Sequence, residues 1–157
     1  MLKKYNFWDL RQKVLNEKNP IKKKYYKKQY KKLMQENNAY IPYDTVIKGK
    51  PLMPHGIMGV LFSKNAVIGE GCTILHQVTI GSNAFEDTKH PGSPVIGNNV
   101  FIGTGAKIVG GITIGNNVRI GAGCVVCEDV PDNSTVVMPK AIIIEHDTPR
   151  NNKYKLI

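Results

Sequence analysis

The sequence has little cysteine and tryptophan, few histidines and no long apolar run. Its 157 residues include three cysteines, one tryptophan and four histidines. A sparse, odd number of cysteines argues against a disulfide framework. Cys124 and Cys127 form a CxxC pair, but no second pair exists to complete a zinc site, so no metal is expected. No apolar stretch approaches the roughly 20 residues that a membrane-spanning helix needs.

Positive charge is abundant, but it is confined to one end of the chain. Residues 1–50 hold 14 Lys and Arg against 4 Asp and Glu, whereas residues 51–157 hold 8 of each. A basic arm therefore precedes a neutral body. The lysine-rich start lacks the apolar core of a secretory signal, so we expect a cytoplasmic protein. No nucleic-acid recognition motif accompanies the charge, and no nucleic-acid partner is expected.

The basic arm has the pattern of two helices, over residues 6–17 and 20–37. Asn19 and Pro20 suit the N-cap and first turn of the second helix. Four of its residues form a stripe at helical spacing: Tyr26, Tyr30, Leu33 and Met34. Lysines fill the other faces. They form either a solvated surface around a packing stripe, or a surface attracted to an acidic polymer or to the anionic inner face of a membrane.

The body carries a six-residue repeat, which is the strongest pattern in the sequence. Isoleucine or valine recurs at every sixth position in two blocks: Ile68, Ile74 and Ile80, then Ile96, Ile102, Ile108, Ile114, Ile120 and Val126. A small or aliphatic residue follows each of them four positions later. Three positions after each residue of the second block stands a residue type that tolerates a positive φ. These positions are Asn99, Gly105, Gly111, Asn117, Gly123 and Asp129.

This period does not fit a helix, and it is typical of short strands joined by tight bends. At about 100° per residue, side chains six positions apart would spread around a helix. In strands the side chains alternate, and each bend restarts the alternation. Two inward residues per hexad would fill a narrow prism, whose stacked coils pair as a parallel sheet does.

The repeat resembles the hexapeptide family over residues 41–140. The resemblance implies a mainly β fold, a left-handed parallel β-helix with three hexads, or about 18 residues, in each coil. A short basic helical arm at 1–40 precedes the β-helix and a tail at 141–157 follows it. A loop insertion at 82–94 interrupts the coils.

Several stretches are similar to serine acetyltransferase and its shorter relatives. They are His55-Gly56 and the runs at 66–69, 78–81, 102–108, 114–123 and 129–134. Two features depart from that pattern. Only residues 1–40 precede the repeat, and Met138-Pro139-Lys140-Ala141 replaces a Gly-x-Pro-Ala element. The short form is similar to acetyltransferases of surface-polysaccharide synthesis. The resemblance thus implies transfer of acetyl from acetyl-CoA to a hydroxyl of a sugar or polysaccharide precursor.

Three alternatives to this function stay open. They are serine O-acetylation in cysteine biosynthesis, N-acetylation of an amino sugar, and a non-catalytic scaffold, because one fold serves many functions. A zinc carbonic anhydrase on the same scaffold is disfavoured, since the histidines lack its ligand spacing.

The chemistry is expected to depend on histidines. Acyl transfer to an alcohol needs a base with a pKa near neutrality, which suits histidine. His55 matches the catalytic position of the family, with one extra residue between it and Val60. His76 lies 21 positions later, near one coil plus that extra residue, so we expect the two histidines to be neighbours. The family commonly has Gln there, and His76 either orients the base or touches the acceptor. Asp44, the nearest upstream carboxylate, is the candidate that holds the base in its useful tautomer.

The insertion at 82–94 is a second candidate for function. Long loops on a regular scaffold tend to carry function. His90 and Pro91 resemble the His-Pro pair of the loop that contacts the acceptor in serine acetyltransferases. His90 is therefore a candidate acceptor contact.

Acetyl-CoA is expected in a groove between subunits of a homotrimer, as the resemblance implies. Small residues would let the pantetheine arm approach, and basic residues would suit the phosphates. The small candidates are Gly103, Gly105, Ala106, Gly121 and Ala122, and the basic ones are Lys107, Arg119 and Lys140.

Overall fold

The computed structural model describes residues 6–153, so the ends of the predicted arm and tail lie outside the described residues. Two helices come first, α1 (Phe7–Asn16) and α2 (Pro20–Glu36), each within one residue of its predicted bounds. The side-chain oxygen of Asn19 accepts hydrogen bonds from the backbone N–H groups of Ile21 and Lys22, at 3.0 and 3.1 Å. Asn19 therefore caps α2, as predicted. No described helix is long and apolar enough to span a bilayer.

Short strands follow the helices and wind into a prism with three walls. Within the described residues they are β1 (Val46–Ile47), β2 (Leu61–Phe62), β3 (Val67–Ile68), β4 (Thr73–Ile74), β5 (Thr79–Gly81), β6 (Val95–Ile96), β7 (Phe101–Ile102), β8 (Lys107–Val109), β9 (Thr113–Ile114), β10 (Arg119–Ile120), β11 (Val125–Val126) and β12 (Thr135–Val136). Each wall is a four-stranded parallel sheet. The first wall holds β2, β5, β8 and β11, the second β1, β3, β6 and β9, and the third β4, β7, β10 and β12.

The strand register shows one coil for every three hexads. Leu61 pairs with Thr79, and Phe101 with Arg119, each eighteen positions further along the chain. The second residue of most strands points into the prism. The inward isoleucines stack along its axis and are at most 2% exposed: Ile68, Ile74, Ile80, Ile96, Ile102, Ile108, Ile114 and Ile120. Burying such a side chain contributes about 1.5–3 kcal/mol, so this stack is the main apolar core.

Three corners join the walls, and each is named here for its contents. The histidine corner joins the third wall to the first and contains residues 55–60, 75–78, 103–106 and 121–124. The loop corner joins the first wall to the second and contains 63–66, 82–94, 110–112 and 127–129. The asparagine corner joins the second wall to the third and contains 69–72, 97–100, 115–118 and 132–134.

The asparagine corner is held by a ladder of side-chain amides. Asn99 donates to the side-chain oxygen of Asn117 at 2.9 Å, and Asn117 donates to that of Asn133 at 3.0 Å. All three have φ between 54° and 60°. Asparagine tolerates this conformation better than most residues, so one residue type provides both the bend and the link between coils.

The predicted bends are confirmed at two corners and wrong at the third. Asn99, Gly105, Asn117 and Gly123 have a positive φ, whereas at the loop corner the chain turns at Gly110, with φ 106°, instead of at Gly111. The Gly111 N–H donates to the His90 carbonyl at 3.0 Å, and a Cβ on Gly111 would clash with the Pro91 carbonyl. Gly111 is therefore needed for the close approach of the loop.

Asp129 likewise lacks the predicted positive φ. Its carboxylate accepts a hydrogen bond from the Thr113 N–H at 2.7 Å, and so links two coils at the end of the loop corner.

The helices pack against the N-terminal end of the prism through two polar side chains. The Tyr30 hydroxyl donates to the Ile41 carbonyl at 2.8 Å. The Arg11 guanidinium donates to the Thr45 carbonyl at 2.7 Å and is only 6% exposed. Burial lowers the pKa of Arg11, because the charged form loses hydration, and burial raises the pKa of Tyr30. The division of the chain at residues 40 and 140 stays a prediction.

Shortening one inward isoleucine tests the role of the stack. Ile108→Ala should reduce the free energy of unfolding by about 2–5 kcal/mol, because it leaves a cavity in a fully buried site. Val125→Ala is the matched control, since Val125 belongs to the adjoining strand but is 60% exposed. Urea unfolding followed by circular dichroism measures both. Equal losses in the two variants would contradict the proposed role of the core.

Candidate active site

His55 and His76 lie together at the histidine corner. Their Nδ1 atoms are 3.0 Å apart, their ring centroids are 4.8 Å apart, and their planes differ by 19°. His55 is exposed and His76 is half-buried. The structure thus brings together the two histidines that the sequence predicted to be neighbours.

An irregularity of the first coil produces this pairing. Tyr40 bridges to Leu61, and Leu52 to Thr73, each 21 positions on instead of eighteen. His55 and His76 have the same separation. The three additional residues in this coil therefore place one imidazole directly against the other.

The short contact between the two Nδ1 atoms restricts which ring nitrogens of His55 and His76 can carry a proton. Two neutral imidazoles can share an Nδ1–Nδ1 hydrogen bond only when one Nδ1 carries the proton and the other accepts it. If His55 is the donor, its Nε2 is a free base. If His76 is the donor, the proton of His55 is on Nε2, and that nitrogen can only donate.

Asp44 does not lie beside this pair in the structure. It precedes β1, between the first and second walls, and its carboxylate is 3.4 Å from Lys64 Nζ. It also interacts electrostatically with Arg11. His55 is at a different corner, so the structure gives no support to Asp44 as the partner of the base.

The loop at 82–94 is fastened to the loop corner. Asn83 and Gly92 exchange two backbone hydrogen bonds of 2.8 Å, which close the loop on itself. Glu128 Oε2 then accepts from Lys89 Nζ at 2.6 Å and lies 3.1 Å from His90 Nε2. The hydrogen bonds from Lys89 and His90 lower the pKa of Glu128. Within one chain, His90 is therefore at a different corner from the histidine pair.

Two glycines leave open backbone above the histidine pair. The Gly105 N–H donates to the His76 carbonyl at 3.1 Å, and the Gly123 N–H donates to the Thr104 carbonyl at 2.8 Å. Both glycines have a positive φ, and a Cβ on either would meet no atom within 4 Å. A ligand can thus approach the backbone closely at these two positions.

Packing within the prism explains three of the four remaining small candidates. A Cβ on Gly103 would lie 2.6 Å from the Ala122 nitrogen, and one on Gly121 would lie 3.1 Å from the Val136 carbonyl. The stacking of coils therefore requires Gly103 and leaves little room for a side chain in place of Gly121. The Ala106 side chain is fully buried in the prism, whereas Ala122 is exposed at the corner.

Basic side chains flank the histidine corner on both walls. Lys107 begins β8 on the first wall, and Arg119 begins β10 on the third wall; both are exposed. The Lys107 ammonium donates to the Gly105 carbonyl at 3.2 Å, beside the open backbone. Lys140 lies exposed in the tail.

A cavity of about 480 Å³, which sequence reasoning missed, adjoins the histidine corner. Its wall includes Gly56, the residue after His55, together with Trp8, Asn6, Asn37 and Lys50. These residues come from α1, from the end of α2 and from the first coil. The only available signal for this cavity in the sequence was the single tryptophan.

No cluster of His, Cys, Asp or Glu that would hold a metal ion occurs within residues 6–153. The three thiols in that range are free, and Cys72 and Cys124 are buried. Burial raises the pKa of Cys72.

Comparison with known proteins identifies the repeat and the fold. Residues 93–128 match the family model described as bacterial transferase hexapeptide (six repeats). The serine acetyltransferase of Synechococcus elongatus is 48% identical over 58 residues, which are 37% of this chain and 22% of that protein. The structure is also similar to two solved serine acetyltransferases, at 32% identity each. One is isoform 3 of Entamoeba histolytica in complex with cysteine, with a TM-score of 0.66, covering 80% of this chain and 44% of that one. The other is from Neisseria gonorrhoeae in complex with serine, with a TM-score of 0.62, covering 85% and 52%.

The chain carries hexapeptide repeats and is similar to the serine acetyltransferases. The predicted left-handed parallel β-helix is thereby confirmed. The chain spans about half the length, or less, of the relatives it matches.

The contacts of Glu128 predict that the loop at 82–94 is held less firmly when this carboxylate loses its charge. Because the pKa of Glu128 is lowered, its ion pair should persist above the ordinary carboxyl pKa and be lost as the pH falls through the lowered value. At neutral pH, Glu128→Gln should speed proteolytic cleavage within 82–94 and amide exchange at Gly111. Glu86→Gln serves as the control, because it also removes one negative charge but leaves the contacts of Glu128 in place. Equal protection in both variants would show that the ion pair does not hold the loop.

Proposed function

We propose that this protein is an acetyl-CoA-dependent O-acetyltransferase with His55 as its general base and L-serine as its first acceptor. The 3.0 Å contact between His55 and His76 at an exposed corner, beneath open glycine backbone, carries the proposal. The matched relatives are serine acetyltransferases, and the Neisseria gonorrhoeae structure is a complex with serine. They favour serine over the sugar hydroxyl that the sequence favoured.

His55 would act through Nε2, since its Nδ1 faces His76. The thioester of acetyl-CoA supplies an activated acetyl group. His55 Nε2 accepts the proton of the acceptor hydroxyl as that oxygen attacks the thioester carbonyl. It returns the proton to the departing coenzyme A thiolate as the C–S bond breaks. With Nδ1–H donated to His76, the base keeps the tautomer that leaves Nε2 free. His76 is then a positioning residue, in the role that the sequence assigned to Asp44.

The corner above the pair has features that suit coenzyme A. Gly105 and Gly123 expose backbone without a side chain, so an extended pantetheine arm can lie against them. Lys107 and Arg119 place positive charge on the two walls that meet there, and phosphate attracts such side chains. Ala122 adds a small exposed surface, and Lys140 supplies a further cation from the tail. Gly103, Ala106 and Gly121 support the corner through packing.

A homotrimer belongs to this proposal. His90 lies at the loop corner, so it can meet the histidine pair only if a second copy brings its loop to that corner. A site between neighbouring subunits would combine His55 and His76 of one copy with His90 of the next. The acceptor contact assigned to His90 therefore depends on assembly.

A sugar hydroxyl is the second candidate acceptor, and the cavity beside Gly56 favours it. A volume of about 480 Å³ exceeds what serine requires and lies within the usual range of ligand pockets. Trp8 offers an aromatic surface that suits the face of a sugar ring. Asn37, whose amide nitrogen donates to the Leu33 carbonyl at 2.8 Å, offers its amide oxygen to a sugar hydroxyl.

Thiol release from acetyl-CoA tests the acceptor directly. The protein should release thiol with L-serine, and acetyl should appear on the serine oxygen by mass spectrometry. Release with sugars alone would replace serine by a glycan acceptor, and release with amino sugars alone would indicate N-acetylation. If no acceptor causes release and calorimetry detects no coenzyme binding, the protein is a scaffold.

In the active assay, His55→Ala should lower turnover about 10²–10⁴-fold while coenzyme binding persists. His146→Ala, in the exposed tail, is the matched control and should retain turnover.

The positioning role of His76 predicts a difference between two substitutions. In His76→Asn the side-chain amide oxygen can occupy the place of Nδ1 and accept from His55, whereas His76→Ala removes the acceptor. We expect His76→Ala to lower kcat about 10–100-fold, the effect of one hydrogen bond to a group that becomes charged, with KM little changed. His76→Asn should recover most of that loss. Nitrogen-15 NMR of His55 should show the Nδ1–H tautomer in the wild type and in His76→Asn. A wild-type rate in His76→Ala would remove His76 from the mechanism.

A further inference from the structure

The outward face of α2 combines apolar and basic side chains. Tyr30 and Met34 are the buried residues of this helix. On the opposite face, positions i, i+4, i+7 and i+11 form one line along the helix. They are Ile21, Tyr25, Lys28 and Lys32. Ile21 is 80% exposed and Tyr25 is 45% exposed. We call these four residues and the neighbouring Lys22, Lys24 and Lys31 the outward face.

Most of the positive charge on α2 has no acidic partner in the described part of the chain. Lys32 pairs with Glu36 at 3.7 Å, and Lys27 lies 5.0 Å from the Tyr43 ring centroid. Within residues 6–153, five other lysines of the helix form no ion pair: Lys22, Lys23, Lys24, Lys28 and Lys31. The helix N-terminus, next to Ile21, adds the positive end of the helix dipole. A strong positive potential therefore surrounds the exposed Ile21 and Tyr25.

We infer that the outward face of α2 docks on the surface of an anionic lipid bilayer. A helix lying in a membrane interface inserts apolar side chains at the boundary between headgroups and acyl chains, and places lysines at the headgroups. The outward face has both features. An acidic polymer would be attracted by the lysines alone and would leave Ile21 and Tyr25 in water. Docking through this face leaves the buried stripe of α2 and its contacts with the prism intact.

Binding by this face should be reversible and sensitive to salt. Each lysine near an anionic surface strengthens binding about fivefold, and screening weakens the attraction as ionic strength rises. The inference is independent of the acyl-transfer proposal, because it concerns a surface at the N-terminal end of the prism and its test needs no turnover.

Co-sedimentation of the full chain with vesicles tests the inference. The protein should bind vesicles of phosphatidylcholine mixed with phosphatidylglycerol, and should not bind phosphatidylcholine alone. Replacing Lys24, Lys28 and Lys31 by Gln should weaken binding about 100-fold. The matched control replaces Lys48, Arg150 and Lys153, which are exposed outside the helices, by Gln. It has the same net charge and should bind as the wild type does. Equal loss in both triple variants, or no preference for anionic vesicles, would overturn the inference.

A second variant separates a membrane from an acidic polymer. Replacing Ile21 and Tyr25 by Ser preserves every charge, so binding to immobilised heparin should not change. Binding to anionic vesicles should fall about tenfold or more, because two apolar side chains no longer insert. Circular dichroism should show unchanged helix content. If this variant binds vesicles as well as the wild type does, the face recognises negative charge alone and the inference of membrane docking fails.

Discussion

Stacking of inward isoleucines along the prism axis is the constraint on which the other features of this structure depend. Each coil places its isoleucines above those of the coil below, and the regular coils achieve this with three hexads, or eighteen residues. Once the coils are in register, residues far apart in sequence become vertical neighbours. The backbone of Gly105 lies over His76 for this reason, and Gly123 follows over Thr104. The site at the histidine corner is therefore a consequence of core packing.

Features that arise from local chemistry were predictable from the sequence. The inward isoleucines followed from their period, and the bends at Asn99, Gly105, Asn117 and Gly123 followed from residue types that tolerate a positive φ. The cap at Asn19 is equally local. The positive φ predicted at Gly111 and Asp129 was wrong. The loop packs over Gly111, and the Asp129 carboxylate accepts a hydrogen bond from the neighbouring coil. Such contacts join segments that the repeat pattern does not relate to each other.

The site was predictable only in part. The pairing of His55 with His76 required no more than counting residues against the coil length. Asp44 is close to His55 in sequence, but eleven residues of a three-walled coil carry the chain through nearly two walls. Arg11 and the cavity beside Trp8 depend on how the helices dock against the first coil. No helical pattern predicts a buried arginine or an open space at such a junction.

The insertion at the loop corner leaves the register of the coils unchanged. Thr79 pairs with Lys107 as regularly as Leu61 pairs with Thr79, although the chain between the first two is ten residues longer. The cost of closing a loop rises slowly with its length, so this segment can grow, shrink or change composition with little effect on the core. Natural variation at this corner can therefore change the exposed surface of the loop while the scaffold keeps its stability. In this architecture, change at the loop surface and maintenance of the fold act on separate parts of the chain.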